Sequence, residues 1–130
     1  MPAAEKKSHD PHAPVDPRDE TLVTDLIGRV ADKWTLLVLE ELEDHGVCRF
    51  TELARRVPGI SQKMLTQALR QMERDGLVVR TVHPVVPPKV EYCLTELGHS
   101  LGEAFCGVWV WAEANLEKVA RARMAFDARG

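Results

Sequence analysis

The chain has 130 residues, 45% of them apolar and 28% charged, with a formal net charge of −3. That length implies a single domain, and the balance of apolar and charged residues excludes global disorder. No apolar run approaches the ~18 residues of a membrane span, so a membrane partner is not expected.

Residues 1–18 are rich in Pro, Ala, His, Asp and Lys without periodicity and read as a flexible tail. The opening Met1-Pro2-Ala3-Ala4-Glu5-Lys6-Lys7 has no apolar core after its charges, so no secretory signal is expected and the expected location is cytoplasmic. His9 and His12 fall in this tail and make too poor a ligand set for a metal site. From Thr21, apolar residues at Leu22, Val23, Leu26, Ile27 and Val30 form a helical stripe. Asp32 reads as the cap of a second helix, Lys33 to Asp44, with Trp34, Leu37, Val38 and Leu42 inward and Gly46 as its stop. Val47 to Phe50 is one short extended segment. Thr51 reads as the cap of a third helix, Glu52 to Val57, which Pro58-Gly59 ends. A fourth helix, Ser61 to Asp75, has Met64, Leu65, Ala68, Leu69 and Met72 as its predicted inner face, and Gly76 closes it.

The period then changes from 3.6 to 2. Leu77 to Val82 and Val90 to Leu94 read as paired strands, joined by His83-Pro84-Val85-Val86-Pro87-Pro88. Three prolines in that loop forbid regular pairing and stiffen it. Thr95 opens a last helix predicted to run to about Arg123, which leaves 124–130 as a C-terminal tail and 19–123 as the folded domain. Its apolar face includes Leu97, Leu101, Phe105, Val108, Trp109, Ala112 and Leu116, too wide for a small domain to cover alone. Gly98, Gly102 and Gly107 each cost roughly 1 kcal/mol of helix propensity, for which close backbone approach is the expected reason.

Helix, helix, short strand, helix, helix, hairpin and long helix make a mainly α (α+β) chain. The order is that of a winged helix-turn-helix with extra helices at both ends, which is a DNA-reading architecture. The net charge alone argues against a polyanion partner, but its distribution argues the other way. From Arg49 to Lys89 there are eight cationic and three anionic side chains, a local balance of +5. On the fourth helix Gln62, Lys63, Thr66, Gln67 and Arg70 point outward: amides suited to adenine edges, a methyl to thymine, cations to guanine or phosphate. Ser61 offers a hydroxyl and neighbouring N–H groups to a phosphate. Arg80 and Lys89 flank the hairpin. Arg49, Arg55 and Arg56 are expected to hold the backbone register, and Lys33 and Thr35 are further phosphate candidates.

Long consecutive motifs carry a family resemblance. Asp32-Lys33-Trp34-Thr35-Leu36-Leu37-Val38-Leu39, Arg49-Phe50-Thr51-Glu52-Leu53, Pro58 to Thr66, Leu69 to Val78, Val86 to Tyr92 and Leu94 to Gly98 together resemble the HxlR-type transcriptional regulators, over roughly Val15 to Trp111. The resemblance implies a homodimeric regulator that binds double-stranded DNA at a palindromic site. The first and last helices then form the dimer interface, here through Leu22, Leu26, Leu101, Phe105, Val108, Trp109, Ala112 and Leu116. Trp109 and Trp111 anchor that interface or line a pocket for a small-molecule effector. Many members sense oxidants through a cysteine just before a Pro-Val pair. Ala13 precedes Pro14-Val15 here, so that thiol is missing.

Three free thiols remain, Cys48, Cys93 and Cys106, as candidate redox groups; their spacing suits no zinc site. No cofactor, metal or catalysis is expected: the chain has no nucleophile elbow, no glycine-rich phosphate loop and no histidine beside a nucleophile. The alternatives are a winged module that docks protein, which would present an apolar rather than a polar recognition face, and a regulator controlled by a small ligand or by thiol oxidation.

Overall fold

A computed structural model describes residues 16–130, so His9, His12 and Ala13 and the greater part of the expected tail lie outside the described residues. The elements run α1 (Pro17–Val30), α2 (Lys33–His45), β1 (Cys48–Arg49), α3 (Phe50–Arg56), α4 (Gln62–Arg74), β2 (Val78–His83), β3 (Lys89–Leu94) and α5 (Glu96–Ala128). The fold is the expected winged helix-turn-helix, mostly helical with one small sheet. Its strands are antiparallel in the order β1-β3-β2, with Cys48 opposite Tyr92, Val78 opposite Leu94 and His83 opposite Lys89.

The boundaries follow local chemistry. Asp16 caps α1 five residues before the predicted stripe begins, with Pro17 in the first turn where its missing N–H costs nothing. Asp32 accepts from the Trp34 and Thr35 amides at 3.1 and 3.3 Å. Helix α3 starts earlier than predicted: Arg49, not Thr51, holds the cap position, and the Glu52 carboxylate reaches back to the Arg49 amide at 2.8 Å. At the far end, α5 continues to Ala128, so residues 124–128 are helical rather than tail.

The core gathers Val38, Leu42, Cys48, Leu53, Val57, Leu65, Leu69, Met72 and Leu77 from three helices, the sheet and the segments between them. Each fully buried aliphatic side chain contributes about 1.5–3 kcal/mol. Trp34, Leu37 and Phe50 sit half-buried on its rim rather than within it. Met64 departs from its predicted inward place and is exposed, because at 100° per residue it lies a quarter-turn from the Leu65–Ala68–Leu69–Met72 stripe.

Helix α4 ends in a hydrogen-bonded reversal. The Leu77 amide donates to the Met72 carbonyl at 2.8 Å and the Gly76 amide to the Glu73 carbonyl at 3.1 Å. Gly76 holds φ +78°, which a side chain would resist. Thr95 then ties α5 to this reversal: its hydroxyl donates to the Gly76 carbonyl at 2.6 Å and accepts from the Gly98 amide at 3.0 Å. A Cβ on Gly98 would stand 2.2 Å from the Leu77 carbonyl oxygen, so the close approach expected for this glycine is present. Among the described residues, a Cβ on Gly102 would meet only the end of the Glu43 side chain, and one on Gly107 would meet nothing.

Candidate nucleic-acid interface

The helix-turn-helix is built from α3, a four-residue-plus-cap turn, and α4. Gly59 takes φ +81°, half-buried Ile60 packs against the core, and the Ser61 hydroxyl accepts from the Met64 amide at 3.0 Å. The Ser61 oxygen is therefore committed to capping, and its hydrogen remains free to donate. With the Leu65 stripe buried, Lys63, Gln67, Arg70 and Arg74 recur on the opposite side at the i, i+4, i+7, i+11 spacing of one helical face. Gln62 and Thr66 flank that column, and all six side chains are exposed. Among the described residues no ion pair engages Lys63, Arg70, Arg74 or Arg80. A row of unneutralised cations and amides on a rigid helix is suited to a polyanion with hydrogen-bonding edges.

The other expected contacts divide. Arg49 is exposed and sits opposite Glu91 across the sheet. Arg56 is turned inward: its guanidinium lies 3.5 Å from the Cys48 sulfur and 3.9 Å from Glu52. Lys33 is exposed, with its ammonium 4.8 Å over the Trp34 ring, and that ring in turn neighbours Gly59 before α4. Thr35 does not have the accessibility of a phosphate contact. It is only 6% exposed, because the first turn of α2 directs it toward the core.

In the wing, Arg80 is in no ion pair among the described residues, but Lys89 is. Glu91 accepts from His83 at 2.7 Å and pairs with Lys89 at 3.7 Å. The His83 hydrogen bond, followed by the charges of Lys89, His83 and Arg49, holds the Glu91 carboxyl below the usual carboxylate range against the opposing effect of burial. A carboxylate whose folded pKa is depressed adds stability that is complete above its unfolded value and is lost as pH falls through the folded one. Wild type and Glu91→Gln are therefore expected to differ in unfolding midpoint at neutral pH and to converge below the ordinary carboxylate range, checked by urea titrations at several pH values; a constant difference refutes it. Beyond this cluster the hairpin carries Val85 and the almost fully exposed Val86 at its tip.

The thiols differ in access. Cys48 is buried, and desolvation pushes its thiol up despite the nearby Arg56. Cys93 is half-buried on β3, and Cys106 is exposed on α5. Cys106 lies in an open groove of about 530 Å³ between α2 and α5, with Leu36, Leu37, Phe105, Val108 and Trp109. Leu101 and Phe105 pack in part against the chain's own core, unlike the exposed Leu22, Leu26, Val108, Trp109 and Leu116 that were expected beside them at the interface. Ala112 is exposed as well.

The sequence did not reveal the fork between Arg29 and Asp75. The Arg29 Nε donates to Asp75 Oδ2 at 3.2 Å and Nη2 to Oδ1 at 2.9 Å, while Asp25 binds the same guanidinium from one turn earlier in α1. The local Asp25–Arg29 spacing was visible in the sequence; a partner 46 residues away leaves no local pattern.

A three-stranded wing beside an exposed, cationic second helix defines a winged helix-turn-helix DNA-binding protein. The chain belongs to the HxlR-like helix-turn-helix family, whose model matches residues 29–120. It is 40% identical over 99 residues to the HTH-type transcriptional regulator YtfH of Escherichia coli K12, covering 76% of this chain and 78% of that protein. The solved transcriptional regulator YtfH of Salmonella typhimurium superposes with a TM-score of 0.70 at 40% identity, over 78% of this chain and 89% of that one. The reduced form of the transcriptional regulator YodB of Bacillus subtilis gives 0.62 at 35% identity, over 77% and 93%. The protein is thus a transcriptional regulator of the HxlR type with a DNA-binding helix-turn-helix. No described helix is long and apolar enough to cross a membrane.

Proposed function

We propose that this regulator acts as a homodimer on a palindromic operator, working on the nucleoid in the cytoplasm. The observation that carries the reading is the unpartnered apolar surface of the two terminal helices. Leu22, Val23, Leu26 and Ile27 on α1, and Val108, Trp109, Trp111 and Leu116 on α5, are exposed to an extent that a lone soluble domain rarely tolerates. A two-fold axis through that surface duplicates α4, which suits half-sites about one helical turn, roughly 10 base pairs, apart. Each copy then inserts Gln62, Lys63, Thr66, Gln67 and Arg70 into the major groove. Ser61, Arg49, Lys33, Arg80 and Lys89 engage phosphates around them, Lys89 after exchanging Glu91 for DNA. Control by an effector in the α2–α5 groove, or by oxidation, is the second reading. What favours it is an exposed Cys106 on a helix that two copies share.

Selection of bound sequences from a random duplex pool, followed by binding measurements, tests both readings. The expected outcome is a two-fold symmetric site, a dimer in sedimentation, and affinity that falls steeply with salt. An asymmetric site bound by a monomer refutes the first reading. Binding unchanged by diamide removes thiol control.

A further inference from the structure

We propose that Arg29 is a positioning residue that sets the angle between the dimerisation helix α1 and the recognition helix α4, and so fixes the operator spacing the protein accepts; this rests on the homodimer reading above.

The geometry begins at the C-terminus of α4. Asp75 is its C-cap residue, directly after Arg74 and directly before the left-handed Gly76. A carboxylate there meets the negative end of the helix dipole, an unfavourable place unless a cation covers it. Arg29 supplies that cation from the last turn of α1, itself a site where positive charge is favoured. One guanidinium therefore serves the C-terminal ends of two helices. Both contacts to Asp75 are within hydrogen-bond range and parallel, the two-point geometry that fixes direction as well as distance. The pair is sheltered, with side chains only 27% and 13% exposed.

Apart from Val30, which packs against the edge of the core, little else fixes α1. It has no buried residue, and among the described residues the Arg29–Asp75 fork is its only side-chain hydrogen bond to another element. Helix α5 reaches the same place by a different route, through the Thr95 hydroxyl on Gly76 and the contact of Gly98 with Leu77. Both helices proposed to pair two subunits are thus anchored at one end of the reading helix. The α5 anchor combines the Thr95 hydroxyl, the close backbone approach of Gly98 to Leu77, and Leu101 and Phe105 packed against the core. The α1 anchor is Val30 against the core and one directional ion pair, and the ion pair determines how the α1 part of the interface is oriented toward DNA.

The test uses the full-length protein and the operator found by selection, together with duplexes carrying one or two extra base pairs between the half-sites. Wild type is expected to discriminate against the altered spacings by about tenfold or more, a coupling of the size contacting residues show. In Arg29→Gln the discrimination falls to about threefold or less, with the salt dependence on the selected operator unchanged. Arg29→Lys, which keeps the charge and loses the fork, behaves like Arg29→Gln. Asp75→Asn matches both, and the Arg29→Gln/Asp75→Asn double variant adds nothing further. Full spacing discrimination in Arg29→Gln or Asp75→Asn overturns the proposal, as does a loss that simply tracks lowered thermal stability. Failure of the homodimer reading is separately visible: wild type itself then sediments as a monomer and shows no spacing preference.

Discussion

Alanine at both Lys63 and Arg70 is expected to reduce operator affinity by about 10²–10⁴-fold, since each specific base or phosphate contact is worth about 1–3 kcal/mol. The two side chains lie one above the other on the outward column of α4, seven residues apart, and neither is in an ion pair among the described residues. Neither supports the core, so the thermal midpoint should stay within the small range of exposed substitutions. Electrophoretic mobility shifts across a salt series separate the two possible kinds of contact. A residue that only neutralises phosphate weakens all sequences alike and lowers the salt slope by about one. A residue that reads a base edge relaxes the preference at one position of the site and leaves nonspecific binding intact. Gln67→Ala, between them on the same face, is expected to behave in the second way. Affinity within twofold of wild type in the double variant refutes this assignment of the reading face.

Gly98→Ala is expected to destabilise the protein while Gly107→Ala stabilises it, although both are glycines of α5, Gly98 in its first turn and Gly107 in its interior. Helix propensity favours alanine at each by about 1 kcal/mol. At Gly107 nothing opposes that gain, because the new methyl meets open space. At Gly98 the methyl would lie 2.2 Å from the Leu77 carbonyl oxygen and 3.0 Å from a Leu94 methyl. The carbonyl is backbone, fixed by the Thr95 amide that donates to it at 3.0 Å, so α5 itself must move. Overpacking of this kind costs about 1–3 kcal/mol and more where backbone must shift, which exceeds the propensity gain. Because the displaced junction also holds the end of α4, Gly98→Ala is expected to weaken operator binding as well. Chemical denaturation of the two variants decides the matter; a Gly98→Ala protein as stable as wild type removes the close approach from the account.

The helices, the wing and the outward face of α4 were legible because each has a local cause. Asp32, Ser61 and Thr95 cap helices where a hydroxyl or carboxylate precedes an apolar stripe, and Gly46, Gly59 and Gly76 mark the stops. The misjudged positions are those that depend on three-dimensional company. Met64 looks apolar enough to be core, yet the turn angle carries it to the surface. Thr35 looks polar enough for phosphate, yet the first turn of α2 directs it inward. Arg56 reads as a free cation until the Cys48 sulfur and Glu52 are seen beside it. Lys89 was read without Glu91, which lies two residues away on the same face of β3. The Arg29–Asp75 fork spans two helices far apart in sequence, and no periodicity announces such a pair.

Helix α5 is 33 residues long, about 50 Å at 1.5 Å per residue, and only its first turns lie against the body. In the proposed homodimer the remainder gains its apolar burial from association, which makes the endurance of that segment a function of how much protein is present. Trp109, Trp111 and Phe126 are exposed in the single chain, so in the proposed dimer dilution is expected to open them to proteases and abundance to shield them. On that proposal, cellular dosage sets how long each copy survives as well as how often it sits on its operator, and scarce copies are expected to be the first cleared.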